Sequence, residues 1–210
     1  MKIDCLILGA FETNSYILRE NQDSKQCLVI DSGLDAHELV DFLKTNGLTP
    51  AAVVLTHGHA DHICGVGALR KSCPKIKVFI HKLDAGMLTG TLDNLSELSG
   101  MRFATEPADC TLDDGDSIDQ AGIHLKVLHT PGHTLGGISL YCSDADAVFA
   151  GDTLFAGSVG RTDFPGGSFE QLKKSIKEKL FTLPDRTIVY PGHGPETTIA
   201  HEKASNPHIS

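Results

Sequence analysis

Short apolar runs alternate along the chain with turns that are rich in glycine and polar residues. Most runs are too short for helices and many of their residues are β-branched, so the pattern predicts buried β-strands. The predicted strands are Lys2–Leu8, Ser15–Arg19, Cys27–Asp31, Val53–Leu55, Val78–Ile80, Ile123–Leu128, Ile138–Tyr141, Val148–Ala150 and Thr187–Tyr190.

Three segments between these strands are predicted to be helical. The first is Ala36–Thr45, with Asp35 as its N-cap and Gly47 just past its end. The second is His62–Lys71, which begins inside a polar loop. The third is Phe169–Leu180, which follows a serine N-cap and repeats leucine or isoleucine along one face.

Strands and helices alternate within a chain of 210 residues, which predicts one α/β domain. The order of elements is similar in its two parts, so we expect two similar halves, about residues 1–105 and 106–210, packed closely together. Residues 83 to 105 show no clear period. The acidic turn at residues 113–116 is predicted to close a hairpin.

Composition and charge restrict the classes of partner. Apolar residues make up 40% of the chain and charged residues 21%, which is usual for a globular protein. The net charge of −9 argues against nucleic acid, because phosphate binding needs a basic face. The chain has no run of 18 apolar residues, and its N-terminus lacks the pattern of a signal peptide. We therefore expect no membrane partner and a cytoplasmic location.

The cysteines are scattered and form no Cys-x-x-Cys pair. We interpret them as reduced packing residues rather than disulfides. They are Cys5, Cys27, Cys64, Cys73, Cys110 and Cys142. Cys64 lies two residues past His62, but a buried thiol more often acts as a small hydrophobe than as a metal ligand.

Residues 56–62 carry the strongest chemical signal. They read Thr-His-Gly-His-Ala-Asp-His and follow the apolar run of residues 51–55 directly. Imidazole nitrogen and carboxylate oxygen are the donors that zinc and related divalent metals prefer. Four such donors within seven positions favour a metal site over a solvated polar loop.

Three later loops offer further ligands. His133, Asp152 and His193 each follow a predicted strand and lie in a glycine-containing turn, where the backbone bends sharply. Each signal is weak alone, because Gly-Asp and Gly-His are common turn sequences. Together they predict four strands that end in ligand-bearing loops at the rim of a sheet.

The motif His-x-His-x-Asp-His, followed in order by a lone His, a Gly-Asp and a Gly-His, resembles the metallo-β-lactamase superfamily. The resemblance extends from Asn14-Ser15-Tyr16 to Asn206-Pro207, nearly the whole chain. It implies a four-layer αβ/βα sandwich of two mixed sheets flanked by helices, with the metal site at one edge. It also implies that residues 83 to 105 are a mobile segment near the substrate.

The resemblance implies two sets of metal ligands and a bridging carboxylate. Seven protein ligands exceed the needs of one tetrahedral ion. The first metal would be held by His57, His59 and His133, the second by Asp61, His62 and His193, and Asp152 would bridge both. We expect two divalent ions, with zinc as the first choice and iron or manganese as alternatives.

The bridging aspartate and the full histidine set look like the glyoxalase II branch, which hydrolyses thioesters of glutathione. Residues 151–155 and 191–198 resemble short bacterial hydrolases of this type, whereas true β-lactamases of the fold lack an aspartate at position 152. The resemblance implies hydrolysis of a small-molecule thioester such as S-lactoylglutathione. A hydroxide shared by the two ions would attack the carbonyl, with Asp61 orienting it.

Two features depart from that branch. The C-terminal helical domain that grips glutathione is expected to be absent, since few residues follow His193. Arg161 occupies the place of a glutathione-binding lysine and is a candidate substrate-binding residue, because guanidinium binds carboxylates bidentately. An ion pair between Arg161 and Asp163 is the alternative.

Residues 161–164 also resemble persulfide dioxygenases, which bind a single iron. The ligands of this iron would be His57, His133 and Asp152. Persulfide dioxygenation is the main alternative to hydrolysis of a thioester or of another ester or lactone.

Asp31 and Thr56 are predicted to orient imidazoles through hydrogen bonds. The remaining histidines fit no ligand pattern and are interpreted as packing or surface residues: His37, His81, His124, His129, His201 and His208.

Overall fold

Two six-stranded sheets form the centre of the molecule, for which a computed structural model describes residues 1–97, 100 and 102–209. The first sheet contains, in spatial order, β1 (Lys2–Leu8), β2 (Thr13–Arg19), β3 (Gln26–Ile30), β4 (Thr49–Val54), β5 (Lys77–His81) and β6 (Cys110–Leu112). The other strands are β7 (Ser117–Gln120), β8 (Ile123–His129), β9 (Ile138–Cys142), β10 (Ala147–Gly151), β11 (Leu154–Phe155), β12 (Ser158–Val159), β13 (Ile188–Pro191) and β14 (Thr197–Thr198).

The second sheet has the order β14-β13-β10-β9-β8-β7, and β11 pairs with β12 in a separate ribbon. Both large sheets are mixed. Strands β3 to β6 run parallel in the first sheet, and β10 runs parallel to β13 in the second. Parallel neighbours end at the same edge of a sheet, so the loops that follow them are brought together.

Helices cover the outer face of each sheet. They are α1 (His37–Thr45), α2 (Ala60–Ile63), α3 (Val66–Ser72), α4 (Phe169–Ser175), which continues as a π-helical turn through Ile176–Leu180, and α5 (Ile199–Ser205). Short 3₁₀ turns lie at Ala85–Leu88 and Ser143–Ala145. Among the described residues, no helix is both long enough and apolar enough to span a bilayer.

Three hydrophobic cores separate these layers. Consecutive strand residues face different cores, as the period of two requires. On β2, Ile17 packs in the core under α1 and α3, whereas Leu18 packs between the two sheets. On β10, Phe149 packs between the sheets, whereas Val148 packs under α4 and α5. The predicted αβ/βα sandwich is therefore confirmed.

Two helix predictions need correction. Helix α1 begins at His37 with Ala36 as N-cap, while the Asp35 carboxylate accepts the His37 N–H at 3.0 Å. The continuous helix predicted over residues 62–71 is wrong, because α2 ends before Cys64 and α3 starts after Gly65. A Cβ atom at Gly65 would lie 2.2 Å from the Ser32 carbonyl oxygen, so this backbone packs closely against the turn after β3.

The acidic turn at residues 113–116 does not close a hairpin. It joins β6 to β7, which belong to different sheets, and so carries the chain across the sandwich. The strands on either side were not predicted, because β7 offers the pattern only one apolar residue, Ile118. Ser168 is confirmed as the N-cap of α4, since its hydroxyl accepts the Gln171 N–H at 3.3 Å.

Residues 83 to 105, predicted to be mobile and close to substrate, form a series of turns. Leu98, Ser99 and Met101 of this segment lie outside the described residues. The buried Asn94 side chain connects two of the described turns, because its amide donates hydrogen bonds to the carbonyls of Met87 and Phe103, each at 2.9 Å. The Asn94 carbonyl also accepts the N–H of Ala60, so the segment rests on the motif loop.

Candidate metal centre

Four loops at one edge of the sandwich bring seven potential ligands together. The loops follow β4, β8, β10 and β13, the strands from which the sequence predicted them. The ligands are His57, His59, Asp61 and His62 after β4, His133 after β8, Asp152 after β10 and His193 after β13. The structure thus assembles every predicted ligand, and their coordination of metal stays a prediction.

Three groups of these side chains have donor atoms that all lie within 4.8 Å of one another. The groups are His57, His59 and His133; His57, His62 and Asp152; and Asp61, His62 and His193. The first and third groups correspond to the two predicted sets, and the second contains the predicted bridge. Cys64 belongs to none of them.

Asp152 lies between the two histidine sets. Its Oδ2 atom lies 3.5 Å from Nε2 of His133 and 3.6 Å from Nε2 of His193. Its Oδ1 atom lies 3.4 Å from Nε2 of His62. One carboxylate therefore faces ligands of both sets, as a bridging ligand must.

Three of the imidazoles are oriented by a hydrogen bond between Nδ1 and a carboxylate or carbonyl oxygen. A partner at Nδ1 leaves Nε2 directed into the cluster, the arrangement typical of metal-binding histidines. The partners are the Asp31 carboxylate at 2.8 Å from His62, the Arg161 carbonyl at 2.7 Å from His133 and the Phe11 carbonyl at 3.0 Å from His193.

Asp31 connects the motif loop to β3. Its buried carboxylate accepts the Thr56 N–H and hydroxyl, both at 2.8 Å, in addition to its contact with His62. The Thr56 oxygen lies 3.2 Å from Nδ1 of His57. The predicted contacts of Asp31 and Thr56 with ligand imidazoles are thus present.

The donor set fits divalent cations. Nε2 of His57 and Oδ1 of Asp152 are buried and have no hydrogen-bond partner among the described residues. Nδ1 of His59 lies 2.8 Å from Nε2 of His133, which places two nitrogen donors side by side. Buried polar atoms are rarely left without a partner, and nitrogen and oxygen donors that converge in this way suit zinc, iron or manganese.

Electrostatics keep much of the cluster in the form that binds metal. Burial lowers the pKa of His57 well below its usual range, and burial together with His133 lowers the pKa of His59 to about 3. Burial alone would raise the pKa values of Asp61 and Asp152, but the surrounding histidines lower both below the usual range. Neutral imidazoles and ionised carboxylates are the protonation states that coordinate metals.

Two other histidines of the cluster, His62 and His193, have raised rather than lowered pKa values. Burial would lower the pKa values of His62 and His193, but Asp61 beside both raises them instead. Asp61 Oδ2 lies 3.5 Å from Nε2 of His62 and 3.2 Å from Nε2 of His193. Protons and divalent cations therefore compete for this half of the cluster.

Gly192 allows the last loop to approach the cluster. A Cβ atom there would lie 2.2 Å from Oδ1 of Asp152 and 2.8 Å from Cε1 of His62. We expect Gly192→Ala to displace both side chains and to lower the amount of metal bound per chain, measured by elemental analysis. Gly67→Ala is the matched control, since a Cβ atom at Gly67 meets nothing within 4 Å. Equal metal contents in the two variants would show that this close approach is unimportant.

Asp84 is a site residue that the sequence reading missed. Its buried carboxylate accepts the Gly58 N–H at 3.1 Å, the Thr134 hydroxyl at 2.7 Å and the Gly136 N–H at 2.6 Å. It therefore joins the motif loop to the loop that carries His133. A signal was available, because Asp84 follows β5 just as the ligands follow their strands.

A cavity of about 550 Å³ opens over the ligands. Its wall is mainly apolar and includes Phe11, Leu95, Phe155, Val159 and Phe164. Asn94 lines the cavity as well. Asn94 and Leu95 both belong to the segment at residues 83–105, so part of this segment reaches the cavity as expected.

Arg161 lines the same cavity but is already paired. Its Nε and Nη2 atoms donate to the two carboxylate oxygens of Asp163, each at 2.7 Å. The guanidinium carbon lies 4.0 Å from the centre of the Phe164 ring. The ion pair proposed as the alternative for Arg161 is therefore present, at the mouth of the cavity.

The remaining cysteines and histidines belong to none of the ligand groups, and Cys5, His37, His124, His201 and His208 are exposed. All six cysteines are free thiols. The His81 ring stacks on that of His129, with centroids 4.2 Å apart, and burial lowers the pKa of His81 to about 4.

Comparisons with known proteins agree with this geometry. The family model described as "Metallo-beta-lactamase superfamily" matches residues 8–193. The chain is 39% identical to "Probable metallo-hydrolase YqgX" of Bacillus subtilis, covering 100% of this chain and 98% of that protein. It is 33% identical to "Hydroxyacylglutathione hydrolase GloC" of Haemophilus influenzae, covering 100% and 99%.

Solved structures agree as well. The BLEG-1 B3 metallo-β-lactamase has a TM-score of 0.94 at 39% identity, covering 100% of both chains. TTHA1623 in a di-iron-bound form has a TM-score of 0.86 at 35% identity, covering 97% of this chain and 98% of that one. ETHE1 from Myxococcus xanthus has a TM-score of 0.81 at 32% identity, covering 100% and 84%. The chain thus belongs to the metallo-β-lactamase superfamily, as one of its metallo-hydrolases.

Proposed function

We propose that this protein hydrolyses small-molecule thioesters with two divalent metal ions, zinc being the first choice. The observation that carries the proposal is the position of the Asp152 carboxylate, which faces His133 on one side and His62 and His193 on the other. A shared carboxylate between two nitrogen-rich sets is the arrangement that two-metal hydrolysis requires.

Bound divalent ions would supply Lewis acidity and a water molecule of lowered pKa. The chain supplies the remaining functions. Asp61 lines the cavity, and its lowered pKa keeps its carboxylate ionised, so that it can accept a hydrogen bond from water and orient it. Apolar walls at Phe155 and Val159 limit the access of bulk water to the thioester. As the C–S bond breaks, the thiolate leaves with the bonding electrons and the acyl carbon keeps the oxygen of water.

Two further observations support a thioester. The full-length relative from Haemophilus influenzae is named a hydroxyacylglutathione hydrolase, and such an enzyme acts on a thioester of glutathione. A thiolate is also a good leaving group, so the reaction needs little help from a general acid. This requirement suits a cavity in which the candidate catalytic residue, Asp61, is an ionised carboxylate and has no proton to donate.

β-Lactam hydrolysis is a second candidate, favoured by the similarity of the whole chain to the BLEG-1 B3 metallo-β-lactamase. An amide nitrogen leaves less readily than a thiolate, so the two substrates make different demands on the site.

The proposed function is tested by comparing S-D-lactoylglutathione with a chromogenic cephalosporin, using protein loaded separately with zinc, iron or manganese. Faster turnover of the cephalosporin, measured as kcat/KM, would contradict the thioester proposal.

The ion pair between Arg161 and Asp163 gives a testable prediction about how the thiol part of the substrate binds. Asp163 occupies the Nε and Nη2 donors of Arg161, one of the two faces through which a guanidinium binds a carboxylate bidentately. We therefore expect Asp163→Ala to lower the KM for S-lactoylglutathione about threefold, the scale of an exposed ion pair. The KM for an uncharged N-acetylcysteamine thioester should not change. A double variant, Arg161→Ala with Asp163→Ala, should lose the gain; if it keeps the gain, Arg161 is not the group responsible.

A further inference from the structure

A second groove lies beside the cavity over the metal centre. Its volume is about 570 Å³, and its apolar lining comprises Leu83, Met87, Leu92, Leu95, Leu135 and Pro165. Three of these leucines are unusually exposed for their type: Leu83 at 53%, Leu92 at 64% and Leu135 at 58%. Clustered exposed leucines mark a surface that binds something apolar.

The groove is continuous with the cavity over the ligands. Leu95 lines both. In one loop, His133 faces the first cavity, while the next two residues, Thr134 and Leu135, face the groove. In a second loop, Phe164 faces the cavity, while the next two residues face the groove. An extended ligand can therefore pass from the cluster into the groove on the side of His59 and His133.

Leu95, where the two spaces meet, has a left-handed backbone with φ of 65°. A leucine in this region is uncommon and costs about 1 kcal/mol or more. Such strain persists where surrounding contacts hold the residue in place, and it is concentrated at ligand sites. The conformation places Leu95 in the walls of both spaces.

The charges of the groove select against an anionic occupant. Its charged lining residues are Asp84 and Asp93, and no lysine or arginine lines it within the described part of the chain. Arg161, which lines the neighbouring cavity, is neutralised by Asp163. Carboxylates and phosphates of a polar thiol would find no free cation in this groove.

We propose that the groove binds the apolar acyl chain of the thioester, so that the preferred substrates carry acyl groups longer than lactoyl. This inference rests on the proposed function and adds the chemical class of the acyl group. The acyl chain is the expected occupant because the common biological thiols are polar and charged, whereas the acyl chain is the apolar part of a thioester.

The first test is a series of N-acetylcysteamine thioesters from acetyl to decanoyl, in which only the chain length changes. Full burial of one methylene would raise kcat/KM about fourfold. Because the groove opens to solvent, we expect about twofold per methylene until the groove is filled. In the triple variant Leu83→Ser, Leu92→Ser, Leu135→Ser, the ratio of kcat/KM for octanoyl over acetyl should fall at least about tenfold.

The control variant is Ile7→Ser, which removes a similarly exposed apolar side chain of β1 that lines neither cavity. Its chain-length dependence should match that of the unaltered protein. If acetyl and decanoyl thioesters are hydrolysed equally well, the groove proposal is wrong while the proposed function stands. If no thioester is hydrolysed, the proposed function fails, and the binding measurement below decides about the groove alone.

That measurement uses S-decyl-N-acetylcysteamine, a thioether that cannot be hydrolysed, and follows its binding by calorimetry. We expect the triple variant to bind it at least about tenfold more weakly than the Ile7→Ser variant. Equal affinities would overturn the proposal. Sedimentation of the same samples tests a different occupant: a dimer that dissociates in the triple variant would show that the groove binds a second copy of the chain.

Discussion

Replacing Asp152 by alanine is expected to lower thioester hydrolysis at least about a thousandfold, the scale of several kcal/mol that metal-assisted hydrolysis supplies. The variant should also bind fewer metal ions per chain. The reason is geometric, because the carboxylate faces His62, His133 and His193 within 3.4 to 3.6 Å and no other carboxylate of the described residues lies between the two sets. Activity with S-D-lactoylglutathione and elemental analysis are measured on the same preparation.

Two variants separate the loss of the bridge from general damage. Asp119→Ala removes an exposed carboxylate that pairs with His124 on the second sheet, so its activity and metal content should be unchanged. Asp152→Asn keeps the size of the side chain but removes its charge, and we expect it to retain less metal than the unaltered protein. If Asp152→Ala kept both its activity and two metals per chain, Asp152 would not be the bridge.

Replacing Asp84 by alanine is expected to lower the free energy of unfolding by about 3 kcal/mol and to weaken metal binding about 10- to 100-fold. Three donors, the N–H groups of Gly58 and Gly136 and the Thr134 hydroxyl, would lose their buried acceptor. These donors flank His57, His59 and His133, so their loss loosens the first set of ligands. Urea unfolding gives the stability, and competition with a chelator gives the metal affinity.

A positioning role and a purely structural role make different predictions. Asp84→Asn keeps one acceptor oxygen, so we expect it to recover much of the stability but only part of the metal affinity. The exposed Asp93, in the same segment, provides the control Asp93→Ala, which should change neither the stability nor the metal affinity. If Asp84→Ala is unstable but binds metal normally once folded, Asp84 does not position the ligands.

Every candidate ligand position could be predicted from the sequence because each signal is local. A strand, a glycine-containing turn and a donor side chain lie next to one another in the chain, and parallel strands bring such turns to one edge. The pattern therefore identified His133, Asp152 and His193 without knowledge of their contacts. The boundaries of β1 were predicted correctly for the same reason, since its apolar run and turn are continuous in sequence.

The errors arise where the structure depends on distant contacts. The break between α2 and α3 follows from the packing of Gly65 on Ser32, which lies in a different loop. The hairpin predicted at residues 113–116 was wrong because strand pairing across the sandwich, rather than the turn itself, decides which sheet each strand joins. Asp84 follows a strand as the candidate ligands do, but its role as an acceptor was missed because its donors lie 26 to 52 positions away in sequence.

The proposed two-metal thioesterase is tested most directly by adding zinc, or iron(II) in a parallel series, to metal-free protein and measuring bound metal and hydrolysis of S-D-lactoylglutathione in the same samples. We expect activity to reach its maximum at two metal ions per chain, with no oxygen consumed when glutathione persulfide is the substrate. Full turnover at one iron per chain, accompanied by oxygen uptake with the persulfide, would contradict both the two-metal centre and thioester hydrolysis.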